Sequence, residues 1–174
     1  MGQKINNLLN DLLYKKYVVK FPVQIERDKN GKKNVKYPPS WKNIKRNTCL
    51  GNEANIAFRT GEVNDLSVLD FDCNESLKWF EENFGRKEDL GCSIIKTFKG
   101  FHLYFKYSPD FENLIKSKVV KSVKMEKNVD YRGDKGIIFY GENYNLLKFE
   151  ENPECIPEDF IKYFNLFKGC LIVI

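Results

Sequence analysis

The 174-residue chain lacks several features that would mark a membrane, secreted or zinc-stabilised protein. No uninterrupted apolar run in it is long enough to span a bilayer, which argues against a membrane partner. The first ten residues do not have the layout of a signal peptide. The five cysteines are odd in number, irregularly spaced and without a C-x-x-C pair. These absences predict a cytoplasmic protein with reduced thiols, without a disulfide framework and with no zinc.

Apolar, aromatic and basic residues, by contrast, are plentiful. Apolar residues make up 42% and aromatic residues 14% of the chain, which is enough to bury a core. The length predicts a single domain over 1–174, or one domain with two tightly packed lobes. The net charge of +5, almost all from lysine, mildly favours a polyanionic partner. A coding sequence rich in A and T would give the same lysine excess, so charge alone does not establish nucleic-acid binding.

The hydrophobic periodicity predicts a mixture of helices and strands. Helices are expected at 5–17, 75–84, 110–118 and 157–168, with Asn74 as the cap of the second and Gly85 and Gly169 as terminators. Single strands are expected at 55–61 and 66–72, and hairpins at 93–107 and 128–141. Pro38 and Pro39 predict a loop within the basic segment 26–46. This mixture indicates an α+β or α/β fold with mixed or largely antiparallel sheets.

Two acids stand out because they lie in an apolar strand, "SVLDFD". Alternate side chains of a strand share a face, so Asp70 and Asp72 project together while Leu69 and Phe71 take the other side. Two such carboxylates repel each other, which would raise one pKa. A Mg²⁺ or Mn²⁺ ion between them would remove the repulsion. Asp70→Ala is therefore predicted to leave the melting temperature unchanged or slightly raised. The alternative is that the strand simply reaches solvent at Asp70.

Two later strands carry further polar side chains between apolar neighbours. In "NVDYRG", Asp130 and Arg132 share one face of the strand. In "FKGFHLYF", His102 is the single histidine of the chain, and it follows a turn in which Lys99 and backbone N–H groups can hold a phosphate. We expect His102 near that phosphate and outside the core. A lone histidine is also typical of a purely structural residue.

Taken in order, these motifs resemble the archaeo-eukaryotic primase superfamily, and within it the primase–polymerase (prim-pol) family of mobile elements and viruses. Members have a hydrophobic strand ending in D-x-D or D-x-E, here "VLDFD". A small residue and a histidine on a strand follow, here "KGFH", and then a hydrophobic residue before an aspartate, here "VDYRG". An R-T-G at 59–61 and the "KYPPSW" element with Lys36 and Trp41 complete the resemblance, which covers about residues 35–141.

The resemblance implies a DNA primase/polymerase with an α/β lobe packed on an RRM-like lobe and the active site between them. It implies template-directed nucleotidyl transfer with two Mg²⁺ or Mn²⁺ ions, on single-stranded DNA and nucleoside triphosphates. Such a domain can form the N-terminal part of a longer primase–helicase, which would make a replicative helicase a partner. The site residues that it implies are Asp70, Asp72 and Asp130 for the metals, and Lys99, Gly100, His102 and Arg132 for the nucleotide.

The chain departs from the family pattern at two points. Gly100 stands where many members have a serine, which leaves the backbone N–H of the turn to hold the triphosphate. The proline- and serine-containing segment that many members show after the third motif is not evident in "IIFYGENYN".

Contacts to the template are expected from the basic segments 27–36 and 116–127. The candidates are Lys32, Lys33, Lys36, Trp41 and Arg59. A solvated surface is the alternative for the lysines, and for Trp41 it is a hydrophobic plug that anchors its loop to the first helix.

Two other function classes remain open. A metal-dependent nuclease or phosphohydrolase would use the same three acids. A non-catalytic RRM-like module would instead stack bases on Tyr104 and Phe105.

Overall fold

The computed structural model describes residues 11–27, 29, 33–49, 54–116, 123–125 and 129–166. Residues 11–16 are helical (α1), and the other helices are α2 (Asn74–Phe84), α3 (Pro109–Lys116) and α4 (Glu158–Leu166). The strands are β1 (Lys20–Pro22), β2 (Gln24–Arg27), β3 (Lys33–Lys36), β4 (Asn55–Arg59), β5 (Leu66–Phe71), β6 (Ser93–Lys96), β7 (Phe101–Lys106), β8 (Val123–Met125), β9 (Val129–Arg132), β10 (Ile137–Gly141) and β11 (Asn145–Lys148). Short 3₁₀ turns lie at Trp41–Asn43 and Glu62–Asn64.

The strands form three sheets. The largest has the order β11-β6-β7-β5-β9-β8, a second has the order β1-β4-β10, and β2 and β3 form a two-stranded ribbon. Every strand pairing among the described residues is antiparallel. The fold is therefore α+β, as predicted. None of the described helices has the length and apolar character that crossing a membrane requires.

The six-stranded sheet is covered on both faces, which explains why β5 is almost entirely apolar. On one face, Leu69 and Phe71 pack in a cluster with Phe80 of α2 and with aromatic residues of α3 and α4. On the other face, Val68 packs with Tyr17 and with residues of β4 and β10. Because neighbouring residues of a strand point to opposite faces, both kinds of position must be hydrophobic in a strand buried on both sides.

The predicted hairpin at 128–141 is wrong. Although the turn 133–136 is short, β9 pairs with β5 and β8, whereas β10 pairs with β4 in the other sheet. Val129 and Tyr131 are buried in the cluster beneath the helices, but Ile138 and Tyr140 are buried in the cluster on the opposite face. A short glycine-containing turn is compatible with a hairpin. Which sheet each of the two strands joins is instead set by residues that are distant in the sequence.

Most other elements lie where the sequence predicts them. The hairpin at 93–107, the strands near 55–61 and 66–72, and the last two helices are confirmed. The segment predicted as a loop holds the ribbon β2–β3 before Pro38. The cap of α2 is Cys73, one residue earlier than predicted, and Gly85 ends that helix with φ 106°. The predicted helix residues 5–10 and the terminator Gly169 lie outside the described residues.

Candidate active site

A row of polar side chains crosses the centre of the six-stranded sheet. Asp70 of β5 lies directly opposite His102 of β7 on one side and Asp130 of β9 on the other. In antiparallel strands, directly opposed residues point to the same face of the sheet. The three side chains are therefore neighbours, although they are up to 60 positions apart in the chain.

Arg132 joins the two acids of this row. Its Nη2 donates to Asp130 Oδ2 at 2.8 Å and to Asp70 Oδ2 at 3.5 Å. On the far side of Asp70, His102 Nε2 lies 3.3 Å from Asp70 Oδ1. Like charges directly opposite each other across strands destabilise a sheet. The shared guanidinium and the imidazole offset this repulsion, so the acid pair is part of a connected polar network.

The network sets the pKa of Asp70. Burial alone would raise the pKa of this carboxyl, but the hydrogen bond and charge of His102 and of Arg132 outweigh burial and hold the pKa below its ordinary value. The sequence alone predicted a raised pKa in the Asp70 and Asp72 pair. For Asp70 that prediction is wrong, because positive partners from two other strands reach the carboxylate.

A cavity of about 540 Å³ lies over one end of this row. Asp70 of β5, Asp72 just after the end of β5, and His102 line it, so the two acids face the same cavity. Most of the other lining residues are cations or aromatic residues, namely Lys33, Lys99, Arg132, Tyr37, Phe98, Phe139 and Tyr144. Asp130 is not among the described lining residues; Arg132 lies in the lining and contacts it. The cavity thus brings together acids, cations and apolar rings from four separate parts of the chain.

His102 is more deeply buried than expected for a direct ligand of phosphate. Only 4% of the residue is exposed, and its ring lies parallel to that of Tyr104, with centroids 6.2 Å apart. Its Nδ1 is buried and has no hydrogen-bond partner among the described residues. This geometry favours a positioning role for His102, in which it orients Asp70 from the floor of the cavity, and corrects the expectation that it lies outside the core.

Gly100 is required for close packing of two strands. A Cβ at this position would lie 1.8 Å from the carbonyl oxygen of Phe71, so no side chain fits there. Its N–H donates to Thr97 Oγ1 at 2.9 Å. We therefore correct the prediction that this N–H holds a triphosphate, since the turn itself already satisfies it. Lys99, the exposed neighbour of Gly100, lines the cavity.

The R-T-G motif supports the turn that follows Arg132. The buried Thr60 hydroxyl donates to the carbonyl of Gly133 at 2.5 Å, and the Thr60 backbone N–H donates to the carbonyl of Gly136 at 3.0 Å. On the other side of this turn, the buried carboxylate of Glu112 accepts from the Asp134 N–H at 3.0 Å. Sequence reasoning did not assign roles to Thr60 or Glu112. The only local signal was the R-T-G motif itself.

Thr60→Val is expected to lower the free energy of unfolding by about 0.5–1.5 kcal/mol, the net contribution of one hydrogen bond, because the Gly133 carbonyl loses its hydroxyl donor but keeps the Gly136 N–H. Thr60→Ser keeps the hydroxyl and should lose much less. Urea unfolding curves of the two variants measure the difference. Equal losses in both would show that the side-chain hydrogen bond to Gly133 does not stabilise the turn.

Two predicted template residues have structural roles in this geometry. Arg59 is only 8% exposed, and its Nη1 donates to the carbonyls of Lys42 and Ile44 at 2.9 and 3.3 Å. A guanidinium that binds the loop in this way is not presented to a phosphate backbone, so we correct its assignment as a template contact. Trp41 packs 5.9 Å from the Phe21 ring and stacks on Tyr37 at 5.0 Å. It anchors its loop, as the alternative interpretation predicted, but against β1 rather than the first helix.

The lysines of the ribbon β2–β3 differ from one another. Lys33 Nζ lies 3.7 Å from the centre of the Phe139 ring and lines the cavity. Lys36 is paired with Glu26 at 2.6 Å, and both side chains are exposed. Lys32 and most of the segment 116–127 lie outside the described residues. Of the two described lysines, Lys33 is therefore the one placed at the candidate site.

The acids of the row supply carboxylate oxygens, which are the ligands that Mg²⁺ and Mn²⁺ prefer. Within the described part of the chain, no group of three or more histidine, cysteine or acidic side chains is arranged to hold a metal ion. The donor chemistry nevertheless fits, because oxygens of two carboxylates converge on one cationic group, the guanidinium of Arg132. The Arg132 guanidinium binds these oxygens in this structure, and Asp70 and Asp130 are residues that would hold a metal ion.

Comparison of the chain with models of protein families gave no match, and comparison with curated proteins also gave none.

Proposed function

We propose that the protein is a metal-dependent nucleotidyltransferase that joins nucleotides on a single-stranded DNA template, as a primase–polymerase does. One observation carries this proposal: Asp70, His102 and Asp130 lie side by side on three adjacent strands, and Asp70 and His102 line a cavity that Asp72 and three cations also line. Acids, cations and aromatic rings are the groups that metal ions, phosphates and bases require, respectively. In this proposal, the six-stranded sheet with its helices and the sheet β1-β4-β10 correspond to the two lobes of such an enzyme.

Asp70, Asp72 and Asp130 are the residues that would hold Mg²⁺ or Mn²⁺. When bound, two such ions would activate the 3′-hydroxyl of a primer and stabilise the leaving pyrophosphate. His102 keeps the Asp70 carboxylate in place through its Nε2, 3.3 Å from Oδ1. With Arg132, it also keeps Asp70 ionised at neutral pH, as the lowered pKa of that carboxyl indicates. An ionised carboxylate is the form that binds a metal ion.

The rest of the cavity suits a nucleoside triphosphate. Lys99 and Arg132 line it and bring positive charge to the triphosphate, whereas Lys33, which also lines it, is assigned to the template. Tyr37 and Phe98 also line it and are 40% and 69% exposed, so their rings can receive a base. Base stacking on an aromatic side chain contributes about 1–3 kcal/mol and tolerates any base. Such tolerance is what an enzyme that copies a template needs at this position.

A metal-dependent nuclease is the second candidate, because the same acids would serve phosphodiester hydrolysis equally well. Incubation with Mn²⁺, a primed single strand and deoxynucleoside triphosphates separates the two functions. We expect pyrophosphate release with primer extension. Release of mononucleotides from the DNA would instead identify a nuclease. Binding of DNA without any dependence on metal, and without either reaction, would identify a non-catalytic module.

Lys33→Gln is expected to weaken binding of single-stranded DNA, and to reduce the slope of log K against log salt concentration by about 0.7, the value for one phosphate contact on a single strand. Lys36→Gln is the matched control from the same strand, and its slope should stay closer to that of the wild type because Lys36 is paired with Glu26. A salt series for the three proteins measures this. Equal slopes in all three would place the template away from the ribbon β2–β3.

A further inference from the structure

The Arg132 side chain contacts both the acid pair and the cavity. Its guanidinium bridges Asp130 and Asp70, and its side chain also forms part of the cavity wall. One third of the side chain is exposed, and its Nε is buried without a hydrogen-bond partner among the described residues. The head group is thus held by the acids at one end only.

Asp70 and Asp130 cannot bind the Arg132 guanidinium and a metal ion through the same contacts. Both would draw on the Asp130 and Asp70 carboxylates, and a divalent cation next to a guanidinium adds repulsion between like charges. An arginine side chain cannot remove the repulsion by losing its proton. The guanidinium has to leave the carboxylates when the metal arrives.

The backbone at Arg132 is fixed, so the movement is confined to the side chain. Strand β9 pairs with β5 as far as Arg132 opposite Val68, and Thr60 and Glu112 hold the turn that follows. From this fixed point the long side chain already borders the cavity. The shortest path away from the acids therefore leads toward the space that we assign to the triphosphate.

We propose that Arg132 is an internal counter-ion of the Asp70–Asp130 pair, that a divalent cation displaces it, and that the released guanidinium binds the triphosphate. This inference rests on the proposed function. It couples the two ligands: metal binding frees the arginine for the nucleotide, and by thermodynamic linkage the nucleotide favours the metal-bound state.

The experiment measures binding of Mn²⁺ alone, by electron paramagnetic resonance of the free ion, and binding of a nucleoside triphosphate at saturating Mn²⁺. Arg132→Gln is expected to bind Mn²⁺ about tenfold more tightly than the wild type, within the usual range of coupling between two sites. At saturating Mn²⁺, the same variant should bind the triphosphate more weakly. A merely structural arginine would shift both affinities in the same direction. Arg86→Gln is the matched control, because Arg86 forms an exposed pair with Asp89 at 2.9 Å.

Unchanged or weaker Mn²⁺ binding in a folded Arg132→Gln variant would overturn the inference. If the Arg132→Gln variant does not fold, Mn²⁺ binding by Arg132→Lys tests the inference instead. A single ammonium bridges two carboxylates less well than a planar fork, so this variant should also bind Mn²⁺ more tightly than the wild type. Equal or weaker binding would overturn the inference here as well.

Asp70→Asn separates the inference from the proposed function. Mn²⁺ binding that does not depend on Asp70 in either background would refute the metal site itself, and with it the inference. Tighter Mn²⁺ binding in Arg132→Gln that does depend on Asp70, in a protein that extends no primer, would refute the polymerase function and leave the counter-ion role standing.

Discussion

Asp70→Asn is expected to reduce nucleotide incorporation at least about 1000-fold. Removal of a single hydrogen-bond donor that stabilises transition-state charge lowers the rate on the order of 10²–10³-fold. Removal of Asp70 should lower the rate further, because Asp70 is assigned as a ligand of the metal ions. It lies at the centre of the row, between His102 and Asp130, and it also lines the cavity. Asparagine keeps the size of the side chain but removes the charge that a metal ion requires.

The measurement is primer extension with Mn²⁺, with pyrophosphate release as a second readout. Asp89→Asn is the control, since Asp89 is an exposed acid paired with Arg86 and distant in sequence from the row. It should keep full activity. An Asp70→Asn variant that extends primers at the wild-type rate would end the hypothesis that this acid holds a catalytic metal.

Asp70→Asn also tests stability. The structure reverses the expectation from the sequence that removing this acid leaves stability unchanged or raises it. Removal of Asp70 was predicted to relieve a repulsion, but the carboxylate is stabilised by His102 and Arg132 and its pKa is lowered. A group with a lowered folded-state pKa stabilises the protein above its unfolded pKa of about 3.9 and loses that contribution as the pH falls through the folded-state pKa. Asp70→Asn should therefore be less stable than the wild type at neutral pH, and the difference should shrink in strong acid.

The sequence was informative wherever the geometry is local. Alternation along one strand placed Asp70 and Asp72 on a common face, and the same rule put Arg132 beside Asp130. Both follow from the repeat of two residues in a strand, which requires no knowledge of other elements. The hairpin β6–β7, with its short turn, was equally accessible, and it brought His102 and Lys99 into the candidate site.

The pairing of β5 with β9 could not be predicted from the sequence. This register places Asp130 opposite Asp70 and lets Arg132 reach both carboxylates, yet these residues are some 60 positions apart. The local pattern pointed instead to a hairpin between β9 and β10. Burial of His102 and Arg59 was missed for a related reason, because each is covered by a layer that comes from elsewhere in the chain.

Gly100→Ala is expected to have the largest effect on stability. Overpacking a well-packed interior costs about 1–3 kcal/mol, and this site should lie at or above the upper end of that range. The added Cβ would lie 1.8 Å from the Phe71 carbonyl oxygen and 2.9 Å from its carbon, so it would meet backbone rather than a side chain that can turn away. Either β5 or the turn before β7 has to shift. Because Phe71 lies between Asp70 and Asp72, and Lys99 lies in that turn, the shift should also lower activity.

Gly85→Ala is the matched control for this substitution. Gly85 has φ 106°, so alanine is strained there, but the nearest atom to its Cβ would be 3.8 Å away. It should cost about 1–3 kcal/mol through the backbone alone and leave the site intact. Gly100→Ser would introduce the serine that many members of the resembled family have at this position, yet it adds the same Cβ and should destabilise the protein at least as much as alanine does. Urea unfolding compares the variants. A Gly100→Ser protein as stable as the wild type would show that β7 does not approach the Phe71 carbonyl this closely, and the placement of Lys99 beside the two acids would then be wrong as well.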